Sequence, residues 1–425
     1  MSAGKSRLRL PAPFYYYVSF AALPLLGLAQ TRVLTALLSQ SAFGSLQLVT
    51  PIIRWCVVIG GLGTPQFIVR FYSRDGGAVL WESLSLSLAA TAAVSLVLGG
   101  LAIAVDPRVA DIRPGALLAV LLIAALFAGQ FAALIKALLR VQERHLRYNM
   151  VVVLERVGIL AGVALAVWWW PRSPIEAFLI GSTIGTAAVV LPIAARRRRS
   201  WRKAASAPEP HRLREILTFG GPIVGVMLLG EMYATLNRYV IGLAGMGTTL
   251  IARYVIGYTV ATLGLQALYE PLVTYIHPRI FQAWERNGPA EAHRILGRYL
   301  LIYTLVGALT AAAFYLAEPW LIPLIAGSAY RVEPRVFAAL LASSFLLGVY
   351  RLLSTHYYLA GRTGELALSY FVALLLNLLG AALLVRESGL FGVAMASAVS
   401  AGVLCLLVFW RASSLTEIAR ATVAT

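Results

Sequence analysis

The sequence predicts an all-α integral membrane protein built from about twelve transmembrane helices. Of its 425 residues, 60% are hydrophobic and only 13% are charged, whereas soluble domains carry roughly 25% charged residues. Apolar runs of about 18 or more residues recur along the chain, and each is long enough to cross a bilayer core of ~30 Å. Because a backbone in lipid must satisfy its own hydrogen bonds, these runs are predicted to be helices.

Twelve such runs can be placed along the chain. A membrane β-barrel would instead show alternating segments of ~10 residues. The predicted spans are residues 14–38, 44–70, 80–105, 115–137, 149–170, 174–195, 215–243, 249–277, 296–317, 336–359, 366–385 and 390–410.

The distribution of positive charge along the chain indicates how the protein is oriented in the membrane. The net charge is +18, but the lysines and arginines lie in short segments between the apolar runs. With the N-terminus inside, the inner segments carry 24 of these residues and the outer loops 6. Cytoplasmic loops carry such an excess, so both termini are predicted to be cytoplasmic, in the inner (plasma) membrane. Membrane lipids, and no nucleic acid, are the expected partners of this charge.

The longest basic segment divides the chain into two halves. It begins at the four arginines 196–199 and is followed by alanine, serine and proline residues. The predicted units are an N-terminal six-helix lobe (1–195), a basic cytoplasmic linker (196–211) and a C-terminal six-helix lobe (212–425).

The two halves also resemble each other. Each opens with a helix that carries a proline, Pro24 or Pro222, and an arginine near its outer end, Arg32 or Arg238. Pseudo-repeats of six helices are typical of transporters that rock two lobes around a central cavity.

Charged residues inside the spans are the candidates for function. A charge at mid-membrane costs ~2.5–3.5 kcal/mol on insertion scales, so it is expected to face the bundle interior or a wet cavity. Six arginines and three carboxylates lie within spans: Arg32, Arg54, Arg156, Arg238, Arg253, Arg351, Glu155, Glu231 and Glu270.

Four of the arginines belong to the first helix pair of each half, toward the outer side. We expect these residues, Arg32, Arg54, Arg238 and Arg253, to form a cationic zone in the cavity. A guanidinium stays charged and binds phosphate oxygens in pairs. Among the carboxylates, Glu231 and Glu270 are the candidates for coupling transport to an ion. Arg156 is expected to snorkel or to pair with its neighbour Glu155.

Common catalytic signatures do not occur in the sequence. Gly4-Lys5-Ser6 lacks the glycine five residues earlier that a phosphate-binding loop needs. No histidine and cysteine cluster has metal-ligand spacing, and nothing resembles a catalytic triad. The sequence therefore predicts no enzyme activity, no metal site and no cofactor.

Several short motifs, taken in order, resemble the Wzx-type polysaccharide (O-antigen) flippases of the MOP exporter superfamily, which share the MATE-like fold. The family often has Asp where this chain has Asn237 and Gly where it has Ala252. The motifs are residues 32–44, 61–70, 237–239, 252–254, 327–330, 358–363, 376–378 and 389–394.

The resemblance implies a flippase that moves a polyprenyl-pyrophosphate-linked oligosaccharide from the inner to the outer leaflet by alternating access. It adds Asn237 to the candidate substrate-binding residues, and other polysaccharide-assembly membrane proteins to the expected partners. A MATE-type cation-coupled multidrug exporter is the main alternative, although arginines outnumber carboxylates within the spans. A lipid II flippase, a major-facilitator transporter and a non-transport scaffold are further alternatives.

Overall fold

The computed structural model is helical throughout the part of the chain that it describes. That part comprises residues 12–75, 77–104, 116–142, 145–170, 173–203, 210–360 and 362–423. Within it, ten helices are long and apolar enough to cross a membrane, and Leu23–Leu37 is a shorter apolar segment. The predicted class, an all-α multi-pass membrane protein, is confirmed.

Within these ranges, seven helices begin before the basic segment, the last of them running into it, and seven helices follow it. The first set is α1 (Ala12–Leu37), α2 (Gln40–Gly61), α3 (Thr64–Asp75), α4 (Gly77–Ala104), α5 (Ala116–Val141), α6 (His145–Trp169) and α7 (Pro174–Lys203). The second set is α8 (Pro210–Thr235), α9 (Asn237–Leu243), α10 (Thr248–Asn287), α11 (Pro289–Ala326), α12 (Pro334–Leu353), α13 (Thr355–Leu359) and α14 (Thr363–Val423).

Three predicted spans are interrupted in the structure; one of them, the span 336–359, is interrupted at Ser354, between α12 and α13. The span 44–70 breaks between α2 and α3, where Leu62 and Gly63 have φ values of 47° and 71°. The break lies against α8, because a Cβ on Gly63 would come within 2.6 Å of the Gly220 Cα. The span 215–243 breaks at Leu236, between α8 and α9.

The predicted spans 366–385 and 390–410 both fall within α14. This helix kinks sharply at Gly389, whose φ and ψ are 57° and −137°. Its two arms lie side by side: Ser397 Oγ donates a hydrogen bond to Asn377 Oδ1 at 3.4 Å. A Cβ on Gly392 would also come within 2.5 Å of the Leu384 carbonyl oxygen.

The linker between the halves is described only in part. The segment predicted as linker begins as a continuation of α7, which runs to Lys203, and α8 begins at Pro210. Residues 204–209 lie outside the described residues, as do the basic residues Lys5, Arg7 and Arg9 at the start of the chain.

Packing between helices relies on two kinds of contact. The largest buried apolar cluster includes Phe43, Ile256 and Phe337, and it joins α1 and α2 to α10, α11, α12 and α14. By contrast, α6 and α7 meet through glycines: a Cβ on Gly162 would come within 2.3 Å of the Gly181 carbonyl oxygen. Small residues at such crossings let membrane helices approach closely.

Candidate functional site

A cavity of about 700 Å³ lies in the middle of the helix bundle. Helices from both halves of the chain form its walls: α1, α2, α6 and α7 on one side, and α8, α9, α10, α12 and α14 on the other. Cavities of roughly 300–1,000 Å³ are the usual size for binding a small ligand. This cavity is therefore the candidate functional site.

Three arginines line the cavity: Arg54 of α2, Arg156 of α6 and Arg238 of α9. Arg54 and Arg156 are exposed to it, whereas Arg238 is buried. Arg54 lies within electrostatic range of both of the others. Like charges held close together repel one another, so an anion placed between these arginines would be stabilised by all three.

Arg238 connects the two halves of the chain at the cavity wall. Its Nη1 donates to Gln47 Oε1 at 3.0 Å and to the Gln47 carbonyl oxygen at 3.2 Å. Beside it, the Tyr239 hydroxyl donates to the Leu48 carbonyl oxygen at 2.6 Å. These bonds hold α9 against α2 and leave part of the guanidinium facing the cavity.

Arg156 was not among the residues predicted for the site. Its neighbour Glu155 forms an ion pair with Lys136 of α5 at 3.0 Å, and it acts on Arg156 only as a nearby opposite charge. Helical periodicity contains the signal that was missed: adjacent residues point about 100° apart around a helix of 3.6 residues per turn. A carboxylate packed toward α5 therefore directs the next side chain elsewhere.

The other two predicted cationic residues, Arg32 and Arg253, are not among the described residues that line the cavity. Arg32 is exposed near the end of α1, and a Cβ on Gly327 would come within 3.5 Å of its Nη1. Arg253 is half-buried, and its Nε has no hydrogen-bond partner among the described residues. The predicted four-arginine zone is thus replaced at the cavity by Arg54, Arg156 and Arg238.

Asn237 belongs to a buried polar network. Its Nδ2 donates to the Tyr254 hydroxyl at 3.0 Å and to Ser397 Oγ at 2.6 Å. Tyr233 joins the network by donating to the Ser397 carbonyl oxygen at 3.0 Å. The network connects α8, α9 and α10 to α14 directly behind the cavity wall. Asn237 therefore stabilises the packing of these helices.

Both predicted coupling carboxylates line the cavity. Glu270 lies 4.0 Å from the Nε of Arg351, on α12. Glu231 lies on α8, and its carboxylate makes no hydrogen bond or ion pair with the residues that the structure describes. The two acids therefore have different environments: Glu270 has a cationic neighbour, while Glu231 presents its charge to the cavity.

An apolar groove adjoins the cavity between α1 and α10. It has a volume of about 700 Å³ and is lined almost entirely by apolar side chains, including Leu268, Leu272 and Phe314. Pro24 and Leu263 line both the groove and the cavity. A polar interior site and an apolar groove thus share a common wall.

Comparison with solved structures shows which known fold the chain shares. The chain is similar to an inward-facing multidrug resistance MATE family transporter of the MOP superfamily, with a TM-score of 0.73 and 16% identity over 94% of this chain and 99% of that one. It is similar to the lipid II flippase MurJ in an inward closed conformation, with a TM-score of 0.74 and 13% identity over 94% of this chain and 87% of that one.

A third structure with this fold is a MOP superfamily transporter from Pyrococcus furiosus, described as having a binding pocket of reversed polarity. The TM-score is 0.69, with 16% identity over 95% of this chain and 96% of that one. At these identities the likeness concerns the fold, which is that of the MOP superfamily transporters.

The family follows from the sequence itself. Residues 14–284, more than half of the chain, match the family described as polysaccharide biosynthesis protein. The chain belongs to this family, which confirms the resemblance carried by its motifs. Among curated protein sequences, none matches the chain.

Proposed function

We propose that this protein is a flippase that moves an oligosaccharide linked to polyprenyl pyrophosphate from the inner to the outer leaflet by alternating access. One observation carries the proposal: the arginine-lined cavity shares Pro24 and Leu263 with the apolar groove. A substrate with an anionic head and a long apolar tail fits both spaces at once. The family match favours a polysaccharide unit as the cargo.

The arginines supply what a pyrophosphate needs in the interior of a membrane protein. A phosphate moved out of water loses hydration, and charge-assisted hydrogen bonds from guanidinium groups replace it. Arg54 and Arg156 are exposed to the cavity and available for this role. The same cluster would repel the cationic compounds that a cation-coupled multidrug exporter carries.

The membrane potential would favour the proposed direction of transport. With the inside negative, outward movement of an anion gains ~2.3 kcal/mol per charge per 100 mV. Glu231 and Glu270 are the carboxylates through which a counter-ion would couple to the cycle, and both line the cavity. Alternating access then exposes the same site to each leaflet in turn.

We also propose the finer topology. Dividing α14 at Gly389 and counting α1 as a span gives twelve spans, six in the lobe 1–195 and six in the lobe 212–425. The excess of basic residues in the inner segments supports cytoplasmic termini and the inner membrane. Membrane lipids and other proteins of polysaccharide assembly are the proposed partners.

Reconstitution into proteoliposomes tests the function. Purified protein is incorporated with a fluorescent polyprenyl-pyrophosphate-linked oligosaccharide, and arrival of the label in the opposite leaflet is measured by chemical quenching. Wild-type protein should move the lipid, and Arg54→Ala should move it at least about tenfold more slowly, since hydrogen bonds to charged groups contribute ~1.5–3 kcal/mol.

Arg335→Ala is the matched control for this test. Arg335 is exposed and pairs with Glu333 just before α12, away from the cavity. This variant should transport like the wild type. Equal transport by Arg54→Ala and Arg335→Ala, at equal protein levels, would remove the support for the proposed function.

A further inference from the structure

The wall of the cavity has two chemically different faces. Helices before the basic segment contribute Arg54 and Arg156, and none of the described lining residues from those helices is acidic or a tyrosine. Helices after it contribute both carboxylates, Glu231 and Glu270. They also contribute four tyrosines, namely Tyr233, Tyr258, Tyr269 and Tyr370. Among the described lining residues from the second half, Arg238 alone is positively charged.

Aromatic neighbours hold the tyrosine rings in place. The ring of Tyr370 packs edge-on against Tyr233, with centroids 6.3 Å apart, and against Tyr350, with centroids 4.9 Å apart. Tyr269 packs edge-on against Tyr303 at 6.2 Å. Because neighbouring rings fix the orientation of Tyr233, Tyr269 and Tyr370, these three tyrosines form a surface that is organised before a ligand binds.

The same face carries hydrogen-bond acceptors. The Glu231 carboxylate makes no hydrogen bond or ion pair within the described part of the chain. Gln266 also lines the cavity, four residues before Glu270 on α10, so one helix face carries both side chains. An uncharged sugar offers what such a face can bind: C–H faces that pack on aromatic rings, and hydroxyl groups that donate to carboxylate and amide oxygens.

A sugar carboxylate would meet a different environment on this face. Glu231 and Glu270 would repel it, and it has no proton to donate to either of them. The phosphates of the same substrate would be drawn to the arginine face, which leaves the acidic face for the sugar.

Resting on the proposed function, we propose that the two faces of the cavity bind different parts of the substrate. The arginine face takes the pyrophosphate, and the face formed by Glu231, Gln266 and the tyrosines takes the first sugars. This face selects neutral or amino sugars and rejects acidic sugars such as uronic acids. Glu231 is the residue that sets the selection, because its charge is available to the ligand.

Binding measurements on the full-length protein in nanodiscs test the division. The probes are farnesyl diphosphate alone, farnesyl diphosphate linked to glucose, and the same lipid linked to glucuronic acid. The two sugars differ only by a carboxylate in place of a hydroxymethyl group. Wild-type protein should bind the glucose probe about tenfold more tightly than the glucuronic acid probe, as one unfavourable charge contact in a partly wet cavity predicts.

Removing the charge of Glu231 should remove the discrimination. In Glu231→Gln and Glu231→Ala, the affinity ratio between the two sugar probes should fall toward one. Glu333→Gln, a change at an exposed residue outside the cavity, should keep the wild-type ratio. Thermal unfolding of each variant checks that the fold is retained, and either Glu231 variant suffices for the test.

Two outcomes separate this proposal from the proposed function. If glucuronic acid is bound as tightly as glucose by the wild type, or if both Glu231 variants keep the wild-type ratio, the division of the cavity is overturned. If Arg54→Ala still weakens the binding of farnesyl diphosphate in that case, the proposed flippase function is retained. If Arg54→Ala does not weaken the binding of farnesyl diphosphate, the proposed function fails, and the division fails with it.

Discussion

Arg156→Ala offers the sharpest mutational test, because two adjacent residues are assigned opposite roles. Arg156 is exposed to the cavity, while Glu155 pairs with Lys136 at 3.0 Å. Loss of the guanidinium should slow flipping of a polyprenyl-pyrophosphate-linked oligosaccharide. Neutralising the carboxylate next to it, in Glu155→Gln, should affect stability and leave transport near the wild-type rate.

The size of the transport effect can be estimated from the contacts. A hydrogen bond to a charged group contributes ~1.5–3 kcal/mol, and each 1.4 kcal/mol corresponds to about tenfold. Removing Arg156 also relieves its repulsion by Arg54, which offsets part of the loss. The expected decrease in the transport rate is therefore about tenfold, near the lower limit of that range.

The assay is the quenching measurement in proteoliposomes, with thermal unfolding recorded for the same preparations. Arg156→Ala should lose transport with little change in the unfolding temperature. Glu155→Gln should lower the unfolding temperature, because Lys136 then has no counter-charge at a half-buried site. The reasoning is refuted if Glu155→Gln slows transport as much as Arg156→Ala does.

Three further predictions concern packing, the Arg238 contact and the groove. Gly162→Leu should lower the unfolding temperature, because the new side chain would overlap the backbone of α7 at a cost of about 1–3 kcal/mol. The control Gly100→Ala should leave the unfolding temperature unchanged, because a Cβ at Gly100 meets nothing within 4 Å. Gln47→Ala should slow transport and destabilise the fold by about 1–3 kcal/mol, since the buried Arg238 loses its hydrogen bond to Gln47 Oε1; unchanged unfolding would contradict this. Ala267→Trp should fill the apolar groove and slow flipping of long-tailed lipids while leaving farnesyl diphosphate binding intact; unchanged flipping would exclude the groove as the path of the tail.

Much of the fold could be predicted because hydropathy records which segments lie in lipid. The interruption of the span 44–70 could not, since it lies at a contact between segments that are distant in sequence. At Leu62 and Gly63 the chain stays apolar enough to read as one span, and the break is found where Gly63 meets the backbone of Gly220. Hydropathy averages over a window and carries no record of such a contact.

The depth of the candidate residues in the membrane could be predicted from the sequence, but the direction in which their side chains point around each helix could not. Hydropathy shows how far along a span each arginine lies, whereas its direction around the helix depends on which helices pack beside it. Arg54 and Arg238 line the cavity, while Arg32 and Arg253 are not among the lining residues. Arg156 replaces them because Glu155 packs toward α5.

The central claim is that the cavity accepts an anionic lipid head group, and transport by the wild-type protein under a controlled potential tests it most directly. Proteoliposomes with a negative interior receive either the labelled polyprenyl-pyrophosphate-linked oligosaccharide or a cationic dye. The account predicts that the lipid reaches the outer leaflet faster as the potential grows, by ~2.3 kcal/mol of driving force per charge per 100 mV, and that the dye is not carried. Export of the dye without any movement of the lipid would contradict it.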